Sequence, residues 1–238
     1  MLSRRQLEPE VMDDPALATD RLHGALTGLT RLNFVSNSAR IVWKPIAHLA
    51  RSLKTDRLRI LDVATGAGDI PIALHRCALR AGLSLELLGI DISSRSIDFA
   101  RQRAEKAGTP IHFQCHNALT EPLPLDFDVV ICSLFLHHLS NDHALTLLRR
   151  MSAATRQLGL VSDLRRCSYG LGLAYAASRV LTRCDVVHVD AVRSVRAAFT
   201  ASELAQMAIE AGIERYLLRR KWPARMLLAW RSESSHPG

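Results

Sequence analysis

The stretch Ile60-Leu61-Asp62-Val63-Ala64-Thr65-Gly66-Ala67-Gly68-Asp69-Ile70-Pro71 decides the fold. An apolar run closes on a carboxylate, a Gly-x-Gly turn follows, and Asp69 before Pro71 marks a helix start with proline in its first turn. This is a strand, a tight loop and a helix N-terminus. Gly66 and Gly68 remove Cβ where the backbone must turn sharply and come close to a ligand. The pattern predicts a cofactor seated against the turn.

Charge selects the cofactor. Nucleotide phosphates want the exposed amides of a helix start and usually a lysine. This loop carries Asp62 and Asp69 and no lysine, so it repels phosphate and favours an ammonium or sulfonium group. S-adenosyl-L-methionine (SAM) carries both cations and no phosphate. Further along, Leu85-Glu86-Leu87-Leu88-Gly89-Ile90 ends in Asp91, and an acid closing the second strand of a doubly wound sheet grips ribose hydroxyls. Asn117 follows the short strand around Phe113-Gln114-Cys115, placed to read the adenine amino edge. Phe127-Asp128-Val129-Val130-Ile131-Cys132-Ser133 has the apolar character of a buried strand and runs into Leu134-Phe135-Leu136-His137-His138-Leu139.

Together these stretches resemble the class I SAM-dependent methyltransferases, in particular the small-molecule branch that includes ubiquinone- and menaquinone-biosynthesis and polyketide-associated enzymes. The likeness covers residues 57–165 well and the remainder in outline. Two positions depart from it: Ala64 stands where many members have a first glycine, and Asn117 where many have aspartate. The resemblance implies an α/β fold: a Rossmann-like, doubly wound, seven-stranded sheet, mostly parallel with an antiparallel last strand. It also implies N-terminal lid helices and a substrate-side insertion after the fifth strand. Residues 1–56 would be tail and lid helices, and 57–238 the methyltransferase domain, with the insertion at 168–199. The implied cofactor contacts are Asp62, Ala64, Thr65, Gly66, Gly68, Asp69, Asp91, Ile92, Asn117, Ala118 and Ser133.

Composition sets the bounds. A chain of 238 residues with 48% hydrophobic content suits one α/β domain with an added lid. The N-terminus lacks a signal-type apolar core, and no apolar run approaches about 18 residues. A soluble, cytoplasmic protein without a membrane span is expected, with the oligomeric state open between monomer and homodimer. Five scattered cysteines without a Cys-x-x-Cys pair predict reduced thiols and no zinc site. The net charge of +8 falls in the last third, where residues 149–238 hold 15 Lys/Arg against 7 Asp/Glu. That basicity leaves nucleic acid as a partner to be weighed, but aromatic residues for base stacking are sparse there.

Residues up to about 20 read as loose, with Pro9, Pro15 and the acids Asp13 and Asp14. Leu22, Leu26, Leu29 and Leu32 fall at helical spacing despite Gly24 and Gly28, and a second helix covers 38–53 with Trp43 inside it. Helices follow at 72–80, 94–107 and 141–151, with strands at 85–90 and 158–163. Thr200-Ala201-Ser202-Glu203 forms a capping box for a helix ending at Gly212. Two strands, 213–219 and 225–230, turn around Trp222-Pro223. In the insertion, a small-residue helix runs through Leu181, and 186–196 reads as extended or loop.

For the chemistry, His137 or His138 at the carboxyl edge of the sheet is the candidate base or acceptor-orienting group. No carboxylate cluster for a catalytic metal is evident, so none is expected. His188, Arg193, Arg196 and Trp43 are the candidate substrate contacts, and Tyr169, Tyr175, Phe199 and Phe34 could add an aromatic wall. The expected reaction is methyl transfer to a small, largely apolar acceptor, phenolic, polyketide- or quinone-like, at oxygen. C-methylation of a quinone precursor and methylation of RNA or protein are the alternatives.

Overall fold

The computed structural model describes residues 2, 4–14 and 16–232. Seven strands form one sheet in the order β3-β2-β1-β4-β5-β7-β6: β1 (Arg57–Val63), β2 (Ser84–Asp91), β3 (Ile111–Cys115), β4 (Phe127–Ser133), β5 (Thr155–Leu164), β6 (Tyr216–Lys221) and β7 (Arg225–Arg231). The first five are parallel, and β7 is antiparallel to both β5 and the edge strand β6. The expected doubly wound sheet is therefore present, with its antiparallel last strand inserted one place in from the edge.

Central strands read as continuous apolar runs because both their faces are buried. Successive side chains point to opposite faces. Ile60, Val129 and Ile131 join Leu49 and Leu74 on one face, whereas Leu61, Val63, Val130 and Cys132 join Leu147, Met151 and Met207 on the other. The first face is covered by α2 (Ser38–Leu53) and α3 (Asp69–Arg80), with α4 (Ser94–Lys106) packed beside β3; the second by α5 (Asn141–Ala154) and α8 (Ala201–Glu210). Local chemistry sets the helix starts: Ser93 and Ser140 side chains cap α4 and α5, and Thr200 and Glu203 complete the capping box of α8.

Above the carboxyl edge of the sheet lie α1 (Thr19–Val35) and the insertion helices α6 (Ser168–Leu181) and α7 (Asp185–Ala197), packed on one another. Residues 186–196 are thus helical, not extended. The five valines in this stretch favour strand locally, but Val186, Asp190 and Ser194 recur at i, i+4 and are all buried, so packing overrides propensity.

The N-terminal stretch is not loose either. A single 3-10 turn covers Val11–Asp13, and the backbone amides of Val11 and Met12 donate to the two carboxylate oxygens of buried Asp190, at 2.8 and 3.1 Å. Ser194 donates its hydroxyl to Glu10, and Arg5 donates to the carbonyls of His137 and Leu139 at 2.9 and 2.6 Å. Polar partners spaced more than 130 residues away hold this segment down, which no local pattern announces. Among the described residues, no helix is long and apolar enough to cross a membrane.

Gly159 on β5 lies opposite Trp230 on β7, and a Cβ there would sit 2.1 Å from the indole ring. Gly159→Ala should therefore cost at least about 2 kcal/mol in urea unfolding through overpacking; unchanged stability would show that Trp230 repacks freely. Replacing Asp190 by alanine should loosen residues 5–14 by about 1–3 kcal/mol. Hydrogen exchange would report faster exchange there while β1 and β4 stay protected, and equal protection in the N-terminal segment would contradict the anchoring role.

Candidate active site

The order of strands reverses between β1 and β4, and ligands in open α/β sheets bind outside the carboxyl ends of strands at that point. A cavity of about 810 Å³ occupies this place. Its floor is built from strand ends and the loops that leave them: Asp62 near the end of β1 with Ala64, Thr65, Gly66 and Asp69 after it, Asp91 ending β2 with Ile92 after it, Ser133 ending β4 and Leu164 ending β5.

The loop after β1 is shaped by backbone conformation. Ala64, Gly66 and Gly68 all have positive φ, at 57°, 52° and 69°. A Cβ on Gly68 would meet the Phe113 ring at 2.8 Å, whereas one on Gly66 would project into empty space. Gly68 is therefore needed for packing behind the loop and does not line the cavity, and Gly66 leaves room for a ligand against the main chain. Ala64 adopts the conformation for which glycine is the usual residue. Leu134 and Ala224, two further cavity-lining residues, also have positive φ, so non-glycine strain gathers around this cleft.

Three carboxylates hold the loop. Asp62 is buried and accepts from the Thr65 hydroxyl at 2.6 Å. Burial pushes its carboxyl up to about 7, with the Thr65 hydrogen bond opposing and the charges of Asp69 and Asp91 adding. Asp91 accepts from the amides of Gly66 at 2.8 Å and Ser93 at 2.9 Å, one oxygen each, and burial raises it against those hydrogen bonds. Asp69 accepts from the Asn33 side chain at 3.0 Å. Ser133 Oγ is buried without a hydrogen-bond partner.

Both histidines line the same cavity. His137 pairs through Nδ1 with Asp163 Oδ1 at 2.6 Å, and its amide donates to Asp163 Oδ2 at 3.0 Å. Burial would raise Asp163, but the attraction of the His137 ring and the hydrogen bonds from His137 and the Leu164 amide hold it below the usual carboxylate range. His138 meets Asp13 Oδ2 at 3.3 Å through Nδ1, and Glu10 Oε1 lies 3.8 Å from the Nε2 of each histidine. Burial alone would lower His138, yet its hydrogen bond to Asp13 and the charges of Glu10, Asp13 and Asp163 raise it to about 9. Glu10, Asp163, Asn33, Ser36 and Arg225 escaped the sequence reading; only their positions in the fold bring them here.

Several expected residues are elsewhere. Asn117 and Ala118 lie outside the cavity wall, and Asn117 Oδ1 accepts from the Leu119 amide at 3.0 Å within its own turn. Trp43 packs into the core beneath the sheet. His188 donates Nε2–H to Thr182 O at 2.8 Å, and Arg193 pairs with Glu8 at 3.2 Å and Pro9 O at 2.8 Å. Arg196 borders a separate crevice with Leu2 and Gln6. Turning 186–196 into a helix rotated these polar side chains off the cleft. The expected aromatic wall is not built from its named residues: Phe34, Tyr169 and Tyr175 are exposed and Phe199 is core, while Phe135 and Trp222 border the cavity in their place. Most of the apolar wall is aliphatic, from Leu22, Leu26, Leu29 and Leu32 of α1 and Leu173 and Leu181 of α6.

Comparison with known proteins agrees with this geometry. Residues 60–159 match the family described as methyltransferase domain. The demethylmenaquinone methyltransferase of Deinococcus radiodurans is 37% identical over 92 residues, 38% of this chain and 36% of that protein. The ubiquinone biosynthesis O-methyltransferase of Idiomarina loihiensis is 30% identical over 89 residues, 37% and 34% of the two chains. The chain thus spans about a third of the length of these curated relatives. Among solved structures, the plantazolicin methyltransferase BpumL in complex with SAH superposes with a TM-score of 0.63 at 15% identity, over 90% of this chain and 88% of that one. Magnesium protoporphyrin IX methyltransferase from Synechocystis with bound SAH gives 0.56 at 15% identity, over 90% and 98%. Sheet order, glycine loop and matched segment converge: residues 60–159 match a methyltransferase domain, and solved neighbours that share the fold hold SAM or SAH.

Proposed function

We propose that this protein transfers a methyl group from SAM to an oxygen of a small, largely apolar acceptor. The observation that carries the reading is a single cavity in which the acidic glycine loop faces the buried His137–Asp163 pair beneath an aliphatic wall. When bound, SAM supplies a methyl carbon activated by its sulfonium. The residues present fit it. Asp91 spends one lone pair per oxygen on backbone amides and keeps others for ribose hydroxyls. Gly66 lets the main chain approach, Asp62 offers negative charge to the ammonium, and Ser133 Oγ offers a hydrogen bond it does not make internally.

The chain's own work is positioning, exclusion of water and proton removal. The leucines of α1 and α6 present apolar surface to a ring or short chain. His137 donates Nδ1–H to Asp163, which fixes the tautomer and leaves the Nε2 lone pair to take a hydroxyl proton. His138 is held as a cation among Glu10, Asp13 and Asp163, so it orients a developing oxyanion and does not serve as base. A protonated His138 is also no metal ligand, so although Glu10, His137 and His138 bring donor atoms within 4.8 Å of one another, transfer should survive a chelator.

One alternative has support. The identity to the Deinococcus demethylmenaquinone methyltransferase favours C-methylation of a quinone precursor, and product analysis separates an ether from a new carbon–carbon bond. Methylation of RNA or protein draws on basic residues such as Arg219, Arg220 and Lys221, which lie on the edge strand and not in the cleft.

Two outcomes follow. A labelled-methyl assay against phenols and quinones should give an O-methyl product, and His137→Gln or Asp163→Asn should lower kcat by about 10²–10⁴-fold with SAM affinity held. Near-normal turnover in both variants would remove the base. The second concerns Asp62, whose carboxyl lies near 7 in the free protein. A cation beside it lowers that value, so SAM binding should release a proton near neutrality and tighten from pH 6 to 8. Calorimetry in buffers of different ionisation enthalpy reads this; pH-independent affinity without proton release would separate Asp62 from the cofactor.

A further inference from the structure

Arg225 opens β7 opposite Leu164 of β5, and its side chain reaches the cavity on the side of the glycine loop and α1. Only 5% of the residue is exposed. Nη2 donates to Ser36 Oγ at 2.6 Å and to Asn33 Oδ1 at 3.3 Å. Nε and Nη1, which carry three N–H bonds between them, are buried with no hydrogen-bond partner. No carboxylate among the described residues stands within ion-pair distance, 4.0 Å, of this guanidinium.

A buried charge without a counter-ion is costly, and so are buried donors left unmade. The nearest acids do not relieve it. Asp163 and Asp69 attract Arg225 from a distance, but the first is committed to His137 and the second to Asn33. Burial lowers the guanidinium to about 10, which still leaves it charged at neutral pH. The acids Glu10, Asp13, Asp14, Asp62, Asp69 and Asp91 line the cleft, and its other cations, Arg95 and His138, already hold partners. One buried cation with free N–H groups therefore marks the place where this cavity accepts negative charge.

We propose that Arg225 is the carboxylate receptor of the cleft, its Nε and Nη1 hydrogens completed by a ligand carboxylate. Arginine suits that ligand, because its planar guanidinium matches carboxylate geometry. The carboxylate comes either from the methionyl end of the cofactor or from an acidic acceptor. The proposal rests on the methyl-transfer reading of the cleft, and neither Asn33 nor Ser36 can substitute for the charge.

Calorimetric titration distinguishes the sources. In the wild-type chain, either decarboxylated SAM binds at least about tenfold more weakly than SAM, or the SAH-loaded protein binds a hydroxybenzoate at least about tenfold more tightly than the matching phenol. The first result assigns the cofactor carboxylate, the second the acceptor's. In Arg225→Gln the discriminating preference should vanish, while Arg225→Lys keeps part of it. Binding of 5′-methylthioadenosine, which has no carboxylate, should be unchanged in both variants and reports that the adenosine side is intact. If neither carboxylate changes wild-type affinity by more than about twofold, the proposal is overturned whether or not the variants fold. Wild-type protein that binds neither SAM nor SAH would overturn the methyl-transfer reading itself, and the receptor with it.

Discussion

The structure depends on how the main chain leaves β1. Within five residues Ala64, Gly66 and Gly68 adopt the left-handed conformation, and hydrogen bonds lock the result: Thr65 N to Ile90 O at 2.9 Å, Gly66 N to Asp91 at 2.8 Å, and Gly68 N to Thr65 O at 2.9 Å. These bonds tie β1 to β2 and aim α3 down the face of the sheet. They also fix where charge sits. A tight turn between two strand-end carboxylates leaves a concave, negative surface, and a ligand there must bring positive charge and no phosphate. Everything above the sheet is arranged around that surface.

The upper half of the cleft is made from chain segments far apart in sequence. The first residues cross beneath α7 and are held by Asp190, Ser194 and Arg193, placing Glu10 and Asp13 beside the histidines after β4. Arg5 locks the same region from outside by bonding the carbonyls of His137 and Leu139 and stacking on Phe199. The histidines thus acquire different surroundings despite being adjacent. His137 has one strong partner, Asp163, on the strand beside it; His138 sits among the acids of the N-terminal segment. Two identical side chains thus face different neighbours, one carboxylate on the adjacent strand for His137 and two acids of the N-terminal segment for His138.

What could be read from the sequence was local. A strand ending in acid, a glycine turn and a helix cap are neighbours in the chain, so the strand–loop–helix unit was readable from Asp62, Gly66, Gly68 and Asp91, while the seven-stranded sheet followed from the family resemblance. The leucine spacing of α1 was equally visible, and it both packs and lines the cavity. What escaped reading depends on long-range pairing. Glu10 looks like a surface acid until the insertion closes on the N-terminal segment, and Arg225 looks like one more arginine of a basic third. Residues 186–196 misled through their valines; as a helix they turn Arg193 and Arg196 toward Glu8 and Gln6 and leave the substrate wall to leucines. Asn117 was placed by its position after a short strand, and its side chain closes its own turn.

The most direct test is a competition between cofactor chemistries at neutral pH, titrating the full chain with SAH and with NAD under the same conditions. A cleft built on Asp62, Asp69 and Asp91 without a loop lysine predicts saturable SAH binding in about the micromolar range and none for the phosphate-bearing dinucleotide. Binding of NAD, or no binding of SAH, would contradict the account at the loop from which the rest of the molecule is built.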